Sequence, residues 1–418
     1  MRAFMWVVNY VMSVARALFI LAIALFLPQI CLWNTQKSQK NVSDESSTTF
    51  KLGVENVTDR NVYGKESQKP GHAIALVTNN TGMDQEGNNT LDVLLDKGLP
   101  IKKILVPQAT TEKKSLAKNT KHIPMISLQS KKGLPYIAKD LMTDIDTIII
   151  DIQDNGMQYA ASSNTLLDVM KAASTYKKKC IILDRPNLLG WCMEGFCPEV
   201  PLRYGMTIGE IARYYNKYVL RKPINLHIIP MTNYSRCIES GSMLACSLSS
   251  EIKNIDSCYG YSFLGLLDQV APFDIGLGTD KAFQCILLPD KIKFPKQKWL
   301  DLAAVLKGLG VESKEHRYYS ARKKSHCSGL RLHIHDINHF SSFKTLLTML
   351  NFFKRNGVPL QFPGSFDKAM GSSAIKSLIQ GTISKTEFAL QVNNDLQLFF
   401  KKACSCFLYK PYPKMVHV

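Results

Sequence analysis

Acidic, amide and guanidinium side chains gather where apolar runs of this chain end. The sharpest case is Thr147 to Gly156, T-I-I-I-D-I-Q-D-N-G, in which four apolar or β-branched residues lead directly into Asp151, Gln153, Asp154 and Gly156. A second apolar run, Cys180 to Leu183, ends in Asp184-Arg185-Pro186-Asn187, and a third, Ala73 to Thr78, ends in Asn79-Asn80-Thr81-Gly82. Carboxyls so placed can give or take a proton, while amides and guanidinium groups orient a polar ligand. Each acid alone could instead cap the helix that follows it. Neighbouring strand ends loaded in the same way read as one pocket.

The elements that must position these groups follow from the apolar runs. A strand that is apolar on both faces belongs in the middle of a parallel sheet covered by helices, and in such sheets the ligand crevice lies beyond the carboxyl ends of the strands. Strands are expected at Ala73–Thr78, Ile101–Val106, Met125–Leu128, Thr147–Ile152, Cys180–Leu183 and Asn225–Met231. Helices between them are carried by Leu91, Leu94 and Leu95, and by Leu166, Leu167, Met170 and Ala173 at helical spacing. Thr207 with Glu210 three residues on is a capping-box helix start. Alternating strand and helix imply an α/β fold, with a Rossmann-like, mostly parallel sheet. Beyond Gly278 the pattern changes to strands at Gln284–Leu288 and Leu330–His335 among helices at 296–309, 339–356, 374–381 and 385–404, which reads as a smaller α+β C-terminal domain.

Length and composition agree with a globular protein of two domains. The chain has 418 residues, 45% hydrophobic and 21% charged, enough for a large core. Met1 to Trp33 is almost wholly apolar apart from Arg2 and Arg16 and reads as a signal peptide or membrane anchor. Residues 34–70 read as a polar linker, 71–282 as the Rossmann-like, catalytic-type domain and 283–418 as the C-terminal domain. Export to the cell envelope, as a periplasmic, secreted or membrane-anchored protein, is the expectation. The net charge of +18 comes without a nucleic-acid recognition motif, so no nucleic-acid partner is expected.

Several chemistries find no support. No phosphate-binding glycine loop and no G-x-S-x-G elbow is present, and the eleven cysteines include no C-x-x-C pair. His333 and His335 alternate on a strand without an evident third ligand, so no metal and no cofactor is expected. Cys192 and Cys197 bracket a short loop and could bridge in an oxidising compartment; most other cysteines read as buried thiols.

Six motifs in order give a family resemblance: L-V-T-N-N-T-G-M-D (Leu76 to Asp84), D-I-Q-D-N-G (Asp151 to Gly156), L-D-R-P-N-L-L-G (Leu183 to Gly190), M-E-G (Met193 to Gly195), R-Y-G-M-T-I-G-E (Arg203 to Glu210) and F-D-K-A-M-G (Phe366 to Gly371). Over roughly residues 71–413 the chain resembles the NamZ-type exo-β-N-acetylmuramidases. The resemblance implies a bacterial glycoside hydrolase that releases terminal N-acetylmuramic acid from peptidoglycan fragments, with peptidoglycan or muropeptide glycan as its partner. Such hydrolysis needs an acid for the leaving oxygen and a second group as base, nucleophile or stabiliser. Asp154, Asp151 and Glu112 are the catalytic candidates. Asn79, Thr81, Gln153, Asp184, Arg185, Asn187, Glu194, Arg203 and Tyr204 are the candidates for holding substrate, the two arginines for the lactyl carboxylate.

The chain departs from the family pattern in the same region. Where the family carries P-E-H-G after the second strand, with the Glu as favoured acid, this sequence reads Pro107-Gln108-Ala109-Thr110. The family's Arg and Tyr positions after D-I-Q-D fall at Gln158, Ala160 and Ser162, its His before G-M-T at Tyr204, and its G-R-G-T arginine at Leu277. Two readings therefore stand: a hydrolase with a remodelled site, or a catalytically inactive relative that binds a muramyl glycan or an envelope protein.

Overall fold

A computed structural model describes residues 49–63, 71–107, 122–128, 137, 139–236, 248–249, 251–337 and 339–417. The expected signal peptide or anchor, Gln108 and Glu112 lie outside the described residues. Among those described, no helix is long and apolar enough to cross a membrane.

The chain enters through helix α1 (Asp59–Tyr63) and then alternates: β1 (Ile74–Thr78), α2 (Thr90–Asp96), β2 (Ile101–Val106), β3 (Met125–Ser127), α3 (Lys139–Met142), β4 (Thr147–Asp151), α4 (Ala161–Tyr176) and β5 (Lys179–Leu183). Two short strands, β6 (Cys192–Glu194) and β7 (Arg203–Tyr204), precede α5 (Ile208–Tyr214), a π-helical turn over Tyr215–Val219, and β8 (Leu226–Ile229). The main sheet has the order β3-β2-β1-β4-β5-β8, every pair parallel. β1 and β4 are buried at every residue, and β5 at all but Lys179, as expected of strands covered on both faces. Strand order reverses between β1 and β4, the point where doubly wound folds open their ligand crevice.

The helix starts carry the expected chemistry. Thr207 accepts from the Glu210 amide while the Glu210 carboxylate accepts from the Thr207 amide, a complete capping box on α5. Gly156 sits at φ +84°, and a Cβ there would come within 2.3 Å of the Asn187 side chain; backbone and neighbour both call for glycine.

The remainder contains α6 (Ile255–Leu264), β9 (Cys285–Pro289), α7 (Lys296–Lys307), β10 (Val311–Ser320), β11 (Ser325–Ile334), α8 (Ser342–Arg355), α9 (Gly364–Met370), α10 (Ala374–Gln380), α11 (Lys385–Ala403) and β12 (Lys414–Met415). The strands β10-β11-β9 form an antiparallel sheet. Three features differ from the sequence reading. Residues 49–63, read as part of a polar linker, pack onto the fold: Lys51 exchanges backbone hydrogen bonds with Thr232, the Gly53 amide donates to the Asp184 carbonyl, and Leu52, Val54, Val57 and Val62 are buried. Four apolar side chains in the eleven residues from Leu52 to Val62 bring enough burial to order the segment. Strand β10 was not anticipated, because its polar sequence V-E-S-K-E-H-R-Y-Y-S lies on a sheet edge with only its two ends buried.

The third difference concerns the boundary drawn after residue 282. One hydrophobic cluster runs through it: Phe196 meets Phe343 at 6.1 Å and Phe388 at 5.3 Å between ring centres, and Phe283 packs edge-on against Tyr261 at 5.0 Å. The last strand, β12, returns to pair in parallel with β6. The C-terminal segment thus completes a small sheet within the first half.

Candidate active site

Asp151, at the end of β4, is fully buried and faces Arg185 with both oxygens: Nε donates to Oδ1 at 2.5 Å and Nη2 to Oδ2 at 2.7 Å. Thr90 Oγ1 also donates to Oδ2, and Arg185 Nη2 donates to the Met83 carbonyl at 2.6 Å. This two-point ion pair ties the loops after β1, β4 and β5 together. Asp151, expected as a catalytic candidate, and Arg185, expected to hold substrate, are thus paired with each other.

The other predicted binding residues do comparable work. The Asp184 carboxylate accepts from the Arg185 and Gly209 amides at 3.0 and 2.7 Å, from Thr207 Oγ1 at 2.9 Å and from the Tyr409 hydroxyl at 2.6 Å. Glu194 pairs with Arg203 at 2.9 Å and accepts from the Ser342 and Phe343 amides and from Ser341 Oγ, anchoring the start of α8. Asn79 Oδ1 accepts from the Thr81 amide at 3.0 Å, and Thr81 Oγ1 accepts from the Gln153 amide at 2.9 Å. Gln153 Nε2 reaches the Pro186 carbonyl at 2.7 Å, and Asn187 Nδ2 the Met206 carbonyl at 2.8 Å. All are buried and hydrogen-bonded within the fold.

Asp184 gives a test of this clasp. Burial pushes its carboxyl up from 3.8 to about 6. Because the folded value lies above the unfolded one, the native state keeps a proton that the unfolded chain releases. That stability is fully present below pH ~4 and lost as pH rises through about 6. The loss is on the order of 3 kcal/mol. Asp184→Asn keeps an oxygen for the Arg185 and Gly209 amides and turns an NH₂ toward the Thr207 and Tyr409 hydroxyls, which can accept, all without a charge, so its melting temperature is expected to stay flatter than wild type between pH 4 and 7. A parallel decline of both proteins would show that Asp184 does not titrate in this window.

Asp154, like Asp184, is buried without a cation beside it among the described residues. It is 2% exposed and meets only neutral donors: Ser162 Oγ at 2.5 Å on Oδ1, and the Gly156 amide at 2.8 Å and the Tyr204 hydroxyl on Oδ2. Burial, with no cation opposing it, raises its affinity for a proton. Tyr204, expected to touch substrate, is fully buried and instead orients this carboxyl.

A cleft of about 580 Å³ is lined in part by Gln158, Asn164, Glu199, Tyr215, Gln269 and Lys368; Asp154 is not part of its lining and stands behind Tyr215, whose phenol feels its charge. Tyr215 hydrogen-bonds Ser163 at 3.0 Å; its phenol is raised by burial and additionally by the nearby Asp154. Gln158 Oε1 and Gln269 Oε1 are buried without a hydrogen-bond partner among the described residues. An unsatisfied buried acceptor costs roughly 1–3 kcal/mol. Glu199, Gln269 and Lys368 were not singled out from sequence. Lys368 lies in the F-D-K-A-M-G motif, whereas Glu199 and Gln269, the latter ending a 3-10 turn over Leu267–Gln269, have no motif around them. Cys192 and Cys197 are free thiols, His333 pairs with Asp256 at 3.0 Å, and no group of three or more metal-ligating side chains occurs among the described residues.

Two family models match in succession, the N-terminal part of exo-β-N-acetylmuramidase NamZ over residues 74–244 and its C-terminal part over residues 259–409. The chain belongs to the NamZ family. It is 26% identical to the peptidoglycan β-N-acetylmuramidase NamZ of Bacillus subtilis strain 168, covering 92% of this chain and 98% of that one. Two crystal structures of DUF1343 family proteins from Bacteroides fragilis NCTC 9343 share the fold. One has a TM-score of 0.74 at 24% identity and the other 0.66 at 20%, with 87% and 88% of this chain covered and 100% of each of theirs. NamZ membership makes this chain a relative of glycoside hydrolases, built on the Rossmann-like sheet described above.

Proposed function

We propose that this NamZ-family protein is an exported hydrolase that releases N-acetylmuramic acid from the end of peptidoglycan fragments at the cell envelope, with Asp154 as its proton donor. The observation that carries the assignment is the Asp154 environment: a carboxyl buried among neutral donors, with raised proton affinity, near enough to the cleft-lining Tyr215 to act on its phenol. A glycosidase acid must hold its proton until the leaving oxygen takes it, and burial is how proteins arrange this. Gln108, at the position aligned with the family's glutamate, is an amide and has no such proton to give. Glu112, six positions after the end of β2 in sequence, is the alternative carboxyl for the role of acid. The apolar run from Met1 to Trp33 supports export.

A second reading has its own support. Asp154 already accepts three hydrogen bonds and is almost inaccessible, and Asp151, Asp184 and Glu194 are spent on the fold. That arrangement suits a relative that binds the glycan without cutting it. Incubating the full-length chain with a muramyl-terminated disaccharide and with longer glycan fragments separates the two. Free N-acetylmuramic acid, released only from chain ends, is the expected product. Internal cleavage would overturn the exo assignment, and intact glycan in every digest would favour the binding relative.

A further inference from the structure

We infer that the face built from the π-helical turn at Tyr215–Val219 and the C-terminal segment that follows α11 docks the protein on an anionic lipid bilayer. This docking is independent of the hydrolase chemistry.

Two stretches of sequence meet on that face. Residues 211–236 and 396–418 hold five and four Lys or Arg and no Asp or Glu. They are tied together: Arg213 Nη1 donates to the Cys406 carbonyl at 3.1 Å, Lys217 Nζ to Ser405 Oγ at 3.0 Å, and Tyr234 packs edge-on against Tyr409 at 4.9 Å. Lys217, Lys401, Lys402 and Lys410 are exposed and form no ion pair among the described residues. Glu210, the acid that borders the first stretch, is buried; it and Arg236 neutralise each other inside and leave the surface charge uncancelled. Clustered lysines on one face draw anionic headgroups.

Charge alone would suit any polyanion, and the apolar side chains on the same face select a bilayer. Of the nine large apolar side chains exposed among the described residues, Tyr218, Leu398, Leu408 and Tyr412 are here. Leu398, 63% exposed, precedes Lys401 and Lys402 on α11 by three and four residues and so shares a side of the helix with them. Lys217 holds its ammonium 5.2 Å from the Tyr218 ring centre, and Tyr412 packs on Phe407 at 5.4 Å. At a membrane interface phenols sit at headgroup depth, leucines reach the acyl chains and ammonium groups meet phosphate.

The N-terminal part of the chain joins the fold at this face. The Thr49 carbonyl, where the described fold begins, accepts from Asn233 Nδ2 at 3.0 Å, and Phe50 packs at 6.2 Å on Tyr234, the ring that meets Tyr409. Only residues 34–48 separate Thr49 from the apolar run that ends at Trp33. An apolar run that enters a membrane thus leads into the fold at its basic face.

Flotation of the full-length chain with phosphatidylcholine vesicles, and with vesicles that also contain phosphatidylglycerol, tests this. Lys401→Gln, Lys402→Gln and Lys410→Gln together are expected to weaken binding to the anionic vesicles by about fivefold per lysine removed and to leave binding to the neutral vesicles unchanged. Leu408→Ser with Tyr412→Ser keeps every charge and is expected to weaken binding about tenfold. All the altered side chains are on the surface, and an unchanged melting temperature checks that each variant folds. Binding to anionic vesicles that the lysine substitutions leave unaltered would overturn the inference. So would lysine-dependent binding that is insensitive to Leu408→Ser and Tyr412→Ser and is matched by soluble polyphosphate, which would make the partner an anionic polymer. Either result leaves the hydrolase assignment to be decided by the disaccharide digest.

Discussion

Asp154→Asn is expected to lower turnover of a chromogenic N-acetylmuramide by roughly 10²–10⁴-fold, the usual contribution of a positioned general acid. The substitution is close to isosteric. Its carbonyl oxygen, in the place of Oδ2, still accepts from the Gly156 amide and the Tyr204 hydroxyl, and its NH₂ faces the Ser162 hydroxyl, which can turn to accept. The melting temperature is therefore expected to change little, separating chemistry from folding. A pH profile adds a signature that a structural role would not produce. Burial raises the pKa of Asp154, so wild-type kcat should decline as pH rises through that value and the acid loses its proton. The variant should lack that declining limb. Undiminished turnover by Asp154→Asn would place the acid elsewhere.

Asp151→Ala carries the largest expected effect on stability. It removes the carboxylate that meets Arg185 at 2.5 and 2.7 Å in a site with no solvent access to the acid. Removing one partner of such a pair costs about 3–5 kcal/mol, because the remaining charge stays buried. Replacing both partners, as Asp151→Leu with Arg185→Met, should cost much less than the sum of the single changes, because no buried charge remains. Denaturant unfolding of the three variants measures both quantities. A loss below about 1 kcal/mol for Asp151→Ala would show that the pair is not structural.

Much of the scaffold was legible in the sequence because the main strands are continuous apolar runs. Ile101–Val106 forms a strand over the span expected, and Thr147–Asp151 ends one residue short of it. Strand β10 was not legible, since an edge strand with polar groups on both sides carries no alternation to read. Residues 49–63 looked like a linker because their composition is mixed, and only their packing on the Asp184 loop shows why Leu52 and Val54 are there.

The site was legible only in outline. Sequence brought the right loops together, yet it could not separate a carboxyl engaged by the fold from one held for chemistry. Asp151 and Asp154 stand three residues apart on one loop. What distinguishes them is Arg185, 34 positions after Asp151, and Tyr204, 50 positions after Asp154. The unpartnered amide oxygens of Gln158 and Gln269 are likewise a property of packing, with no trace in composition or spacing.

The measurement that tests the central claim most directly is chromophore release from the N-acetylmuramide by the unmodified full-length chain, with ligand binding followed on the same preparation. The account predicts turnover that Asp154→Asn removes. Tight binding of the muramyl ligand with no turnover at any pH would contradict it and make the protein a glycan-binding member of the NamZ family.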